Sequence, residues 1–171
     1  ARTTFIEVKG KVMAVSEDGA PKEWGAHMTK GRPSPRGEAK AGFNTHPPYK
    51  KGAGFIWSDF PLDLPAVTPI AFSCSNFLVD NHDQPPSDGA EYKVLVVEEG
   101  RAPQLVCSQI VKDILTWRDM SGDLSPWAGK RVTLRLWTGP GPKMNTCCDG
   151  GGWGDVKLLV GPQPKTPDES D

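Results

Sequence analysis

The sequence predicts an all-β sandwich, and three observations carry that expectation. Its 171 residues include 19 glycines and 17 prolines, dispersed without period; this suits many turns between short strands and excludes collagen-like or long helical chains. Short alternating or apolar runs recur along the chain, each bounded by Gly, Pro, Asp or Ser, as strands of a sandwich are. Between them lies no long amphipathic segment of the kind that would cover a parallel α/β sheet.

The first element is a half-buried strand over residues 5–15, where Ile6, Val8, Val12 and Ala14 share one parity and Glu7, Lys9 and Lys11 the other. Residues 17–54 are poor in apolar side chains and read as one long loop, a feature that compact domains keep chiefly for function. Within it, residues 22–51 hold seven Lys/Arg against two Asp/Glu, the chain's one basic concentration. Strand signals then return at residues 55–57, 70–76, 92–97, 104–111, 132–137 and 156–160. In the second of these Ile70, Phe72 and Cys74 face one way. In the fifth Val132, Leu134 and Leu136 face inward while Thr133, Arg135 and Trp137 face out. Residues 112–120 are the best helical candidate. The single domain is expected over residues 1–161, followed by an acidic, Pro-rich tail or linker at 162–171.

With 20 basic and 21 acidic residues the chain has a formal net charge of −1, so no overall field gathers nucleic acid or anionic membrane. No apolar run approaches the roughly 18 residues of a membrane span. GxSxG, HExxH, P-loop and dinucleotide motifs are all missing from the sequence. The four cysteines, Cys74, Cys107, Cys147 and Cys148, lack the paired CxxC spacing of a structural zinc site. At least one disulfide and an oxidising, extracellular compartment are therefore expected. Pairing of the adjacent Cys147 and Cys148 is the least favoured arrangement because it strains the bridge.

Three segments carry a resemblance: PPSDGAEYKVLV at residues 85–96, LSPWAGKRVTLRL at 124–136 and GPGPKMNTCCDGGGWGDVKLL at 139–159. Together with THPPYKKGAGF at 45–55, they resemble galactose-binding-like β-sandwich domains of the NPCBM-like group of carbohydrate-binding modules. Gly150, Gly151 and Gly152 depart from that group, where larger side chains precede the Trp-Gly pair. The resemblance implies a jelly roll of two antiparallel sheets, sugar recognition by loops at one end, often a structural calcium ion, and a place beside other domains in a secreted bacterial protein.

Sugars present flat C–H faces edged with hydroxyls, so their sites need an aromatic platform and fixed polar groups. Trp24, Trp57 and Trp117 sit nearest loops and are the platform candidates, whereas Trp127 and Trp153 read as core. One inter-strand loop holds Asp80, Asn81, His82, Asp83 and, after two prolines, Ser87 and Asp88. The resemblance brings His46 and Asp149 near it. The expected carbohydrate-binding residues are His46, Trp57, Asn81, His82, Asp88, Trp117 and Asp149, with Asp80 and Asp83 as ligands of a calcium ion, which prefers oxygen donors. The expected function is non-catalytic binding of a polysaccharide, acidic or sulfated if the basic 22–51 segment takes part. The alternatives are a protein-interaction or structural module, or a small polysaccharide lyase or hydrolase. For a lyase His46, Tyr49, Lys50 and Lys51 offer base and neutraliser, and a hydrolase would need two opposed carboxylates.

Overall fold

The computed structural model describes residues 1–15, 22–80 and 85–164. Among them eleven strands form two antiparallel sheets packed face to face. The strands are β1 (Thr3–Val8), β2 (Lys11–Val15), β3 (His27–Gly31), β4 (Gly42–His46), β5 (Gly54–Asp63), β6 (Ile70–Leu78), β7 (Ala90–Val97), β8 (Gln104–Val111), β9 (Arg118–Asp123), β10 (Arg131–Pro140) and β11 (Gly151–Val160). One sheet has six strands in the order β2-β1-β5-β10-β7-β8, the other five in the order β3-β4-β11-β6-β9. The expected all-β sandwich of two antiparallel sheets is what the chain adopts.

Alternation explains the core. Along β10, Val132, Leu134 and Leu136 are buried between the sheets, and Tyr92, Val94 and Val96 of β7 lie on the same inner face. Trp153, fully buried, meets Tyr92 edge-on at 5.3 Å between ring centroids and donates its indole N–H to Thr138 Oγ1 at 3.0 Å. A buried Tyr or Trp needs such a partner for its polar atom, and Tyr92 finds one in the Phe77 carbonyl at 2.8 Å. Trp127 is buried as well.

Three expectations need correction. Residues 5–15 are not one strand: Lys9 and Gly10 take φ of 52° and 75° and close a tight hairpin between β1 and β2, the left-handed pair that a two-residue turn requires. The hairpin reverses the parity, so Val12 is 51% exposed while Met13 packs against the core. The long loop contains β3 and β4, which pair with each other. They are five residues each and mostly polar, and on them only Met28 and Thr45, direct cross-strand partners, are buried. The helical candidate is the crossing from β8 to β9, and its last three residues, 118–120, are strand. Leu115 there takes φ of 54° and donates its amide to the Leu78 carbonyl.

The glycines before and after Trp153 let other groups lie on β11. A Cβ at Gly151 would collide with the Phe77 carbonyl and the Tyr92 hydroxyl, and one at Gly154 would stand 2.6 Å from the Trp117 ring. At Gly151, and at Gly152 where a Cβ would stand 2.6 Å from the Phe77 ring, this is the physical reason for small residues where the resemblance leads one to expect large ones.

Candidate functional site

At one end of the sandwich β3 begins and β4 ends, which places His27 directly opposite His46 in the register. Their ring centroids are 6.1 Å apart, and Tyr49, three residues past His46, sits 4.9 Å from the His46 ring. The connection from β10 to β11 folds over this end, carrying Thr146, Cys147, Cys148 and Gly150. Together these side chains and Val79 line a cavity of about 550 Å³.

The local chain holds each wall in place. Trp24 accepts the amides of both Tyr49 and Lys50, at 3.0 and 3.1 Å, and Gly25, at φ 67°, lies directly under the tyrosine ring. Tyr49 is 47% exposed, so one ring face is open to a ligand. His46 Nδ1 lies 2.6 Å from the Pro47 carbonyl. A carbonyl only accepts, so Nδ1 carries the proton and Nε2 of the neutral ring is an acceptor. Burial lowers the pKa of His46, with the Pro47 carbonyl opposing; it lowers that of His27 too, with the neighbouring His46 adding to the effect. At neutral pH the cleft therefore presents uncharged imidazoles.

Beside this cleft lies a carboxylate pair. Asp149 is fully buried, and its Oδ1 accepts a hydrogen bond from Ser87 Oγ at 2.5 Å, while Ser87 Oγ accepts from the Gly89 amide. Burial pushes the Asp149 carboxyl up to about 7, against the Ser87 hydroxyl and with help from the charge of Asp88. Asp149 Oδ2 and both carboxylate oxygens of Asp88 are buried without a hydrogen-bond partner among the described residues. Buried carboxylate oxygens left in that condition are costly. Among the described residues no three His, Cys, Asp or Glu side chains converge as a metal-ligand set, so any cation here would complete its shell from main-chain oxygens and water.

The structure thus brings His46, Asp88 and Asp149 to one end. Asp80 follows Val79 of the same wall, and Asn81, His82 and Asp83 fall outside the described residues. Trp57 and Trp117 are elsewhere. Trp57 lies on the outer face of the six-stranded sheet, 6% exposed, stacked on Phe5 at 5.6 Å and covered by the Arg135 guanidinium at 4.9 Å. Arg135 in turn forks onto Asp59 at 2.7 and 2.9 Å. Trp117 packs on the outer face of the five-stranded sheet, edge-on to Phe77 at 4.7 Å, its indole donating to the Glu38 carbonyl at 2.9 Å. Neither indole reaches the end cleft. His27, Thr146 and Tyr49 also line the cleft; the first two carry no signal in the sequence, and Tyr49 stands out there only through its place beside His46.

All four cysteines are thiols in this structure, Cys147 and Cys148 with sulfurs 3.0 Å apart, so the expected disulfide is not formed in it. No helix of the described residues is long and apolar enough to cross a membrane.

No family model and no curated protein matches the chain. Solved structures do match it. The carbohydrate-binding module TmCBM61, determined in complex with β-1,4-galactotriose, is 14% identical with a TM-score of 0.53 over 83% of this chain and 85% of that one. The adhesin domain K1 of Lys-gingipain from Porphyromonas gingivalis is 15% identical, with a TM-score of 0.51 over 94% and 99%. The CBM22-1-GH10 modules of Clostridium thermocellum xylanase 10B, complexed with xylohexaose, are 12% identical, with a TM-score of 0.50 over 85% of this chain and 26% of the longer one. At such identities the likeness is one of fold.

Proposed function

We propose that this chain is a non-catalytic carbohydrate-binding module whose ligand occupies the His27–His46–Tyr49 cleft. The observation that carries the reading is the pairing of an open tyrosine face with two neutral imidazoles fixed at a sandwich end. The ring supplies a platform for sugar C–H bonds, and His46 Nε2 accepts from a hydroxyl. One structural neighbour is a carbohydrate-binding module solved with β-1,4-galactotriose, and another joins a CBM22-1 module to a GH10 xylanase module in a complex with xylohexaose, which supports the class without choosing the sugar. Lys50 and Lys51 adjoin Tyr49. Lys51 is paired with Glu23 at 3.2 Å and rests over Trp24 at 4.4 Å, while Lys50 Nζ donates to the Lys22 carbonyl. They make an acidic or sulfated polysaccharide the preferred ligand in this reading. The test is titration of the protein with neutral, uronate and sulfated glycans while following the imidazole signals by NMR. The His27 and His46 rings are expected to shift on binding, with affinity falling as salt rises from low to physiological. Binding that leaves both rings unmoved would place the site elsewhere, and salt-independent affinity would remove the acidic-ligand preference.

Calcium belongs to the same proposal, with a different ligand set from the one the sequence suggested. Asp88 and Asp149 hold the unmatched buried oxygens, and a hard divalent cation that prefers carboxylate and carbonyl oxygens fits that donor chemistry. Bound there, it would supply charge to two buried carboxylates and tie the segment before β7 to the one before β11. A thermal melt in calcium against chelator checks this directly, with a higher Tm in calcium expected for the unaltered protein and no difference for Asp149→Asn.

A further inference from the structure

The connection from β10 to β11 carries a second chemistry that sugar recognition does not call for. Cys147 and Cys148 both line the end cleft, and their sulfurs stand 3.0 Å apart, about 1 Å beyond the ~2.05 Å of a sulfur–sulfur bond. The surrounding backbone is already turned to bring adjacent side chains together. Cys148 takes φ of 69°, a region that residues with a Cβ seldom occupy. The Cys147 amide donates to Asn145 Oδ1 at 3.0 Å, and the Gly150 carbonyl accepts from the Val79 amide at 2.8 Å, so the turn is anchored on both sides of the pair. The other two cysteines are in a different setting. Cys74 is 2% exposed, and burial pushes its thiol far up, while burial raises that of Cys107 to about 11.

We infer that Cys147 and Cys148 close into a vicinal disulfide that forms one wall of the end cleft; its role toward a glycan rests on the function proposed above. The reaction is thiol–disulfide exchange with a small-molecule disulfide such as oxidised glutathione. One cysteine thiolate attacks the reagent, forming a mixed disulfide and expelling one glutathione thiolate, which takes up a proton. The second cysteine thiolate attacks the protein-bound sulfur of that mixed disulfide and expels the second glutathione. Two protein thiols are oxidised by two electrons, and one reagent disulfide is reduced to two thiols. Closing the eight-membered ring strains it, so the bond reopens more readily than an ordinary structural disulfide. Closure removes two S–H groups from the wall, presents bare sulfur to the cavity, and pins the segment that carries Asp149. Extracellular conditions would then hold the wall closed and reducing conditions would open it.

The test uses the full chain without any glycan first. The protein is equilibrated with oxidised glutathione, remaining thiols are alkylated after denaturation, and the peptide containing both cysteines is weighed. The expected peptide is about 2 Da lighter than its reduced form and carries no alkyl group or glutathione, while Cys74 and Cys107 are alkylated. Cys148→Ser, which cannot close the ring, is expected to retain one glutathione on Cys147. Two alkyl groups or two glutathiones on the wild-type peptide, or a bridge from it to Cys74 or Cys107, would overturn the inference. Glycan affinity of oxidised and reduced protein is then compared, with about a threefold or greater difference expected for a wall that preorganises the site. A disulfide that forms without altering affinity overturns its role as a wall. Absence of glycan binding in both states overturns the function proposed for the cleft and leaves the disulfide standing on the mass alone.

Discussion

His46 shows how one backbone contact sets the chemistry of a side chain. The Pro47 carbonyl fixes the proton on Nδ1, and burial keeps that ring and His27 uncharged at neutral pH. Both folded pKa values lie below the unfolded value of about 6.5, so the unfolded chain binds more protons and the contribution to stability is present above that pH and lost as pH falls. Thermal melts from pH 8 to 5 should show Tm dropping below about pH 6.5, with a smaller drop in His27→Gln; a flat profile would mean that the rings charge freely. Asp149 has the opposite sign. Its folded pKa of about 7 exceeds the unfolded ~3.9, so that contribution is complete at low pH and lost as pH rises through 7. In chelator at pH 8, Asp149→Asn should therefore be more stable than the parent by about 1–2 kcal/mol, because the amide keeps the Ser87 contact and sheds the buried charge. An Asp149→Asn protein less stable at pH 8 than the parent would contradict this reading of the carboxyl.

At the scale of elements, β11 is the strand on which both faces depend. Its Trp153 enters the core, and its glycines receive Trp117 and Lys40 on the other side. Gly154→Ala would place a methyl 2.6 Å from the Trp117 ring and 2.7 Å from Lys40 Cβ. A loss of about 1–3 kcal/mol is expected by urea unfolding, together with a red-shifted tryptophan emission; unchanged emission would mean that Trp117 does not rest there. β10 was legible in the sequence because period-2 alternation over a long buried strand is a strong signal, and even the outward parity of Trp137 is realised in its stacking on Phe55 at 4.9 Å. β3 and β4 were not, because each has a single fully buried residue and, Phe43 apart, its remaining positions are polar or glycine. The hairpin at Lys9 and Gly10 was hidden for a related reason, since the apolar parity runs unbroken across the turn in the sequence.

For the whole molecule, the same asymmetry explains how much of the site could be read. Asp88 stood out as part of a polar inter-strand loop and the resemblance set His46 and Asp149 near it, whereas His27 becomes meaningful only when β3 pairs with β4 and sets it opposite His46. Trp57 and Trp117 look alike in sequence but lie on the two opposite outer faces, one under Arg135 and the other against Phe77. The end cleft is consequently the place where an open aromatic face, uncharged acceptors and flanking lysines coincide. The most direct measurement of the central claim is isothermal titration of the protein and of Tyr49→Ala against a panel of neutral, uronate and sulfated polysaccharides. Specific binding by the unaltered protein is expected, with a loss of about tenfold or more on removing the ring, equivalent to about 1.4 kcal/mol. Equal binding by both proteins, or no binding across the panel, would contradict that claim.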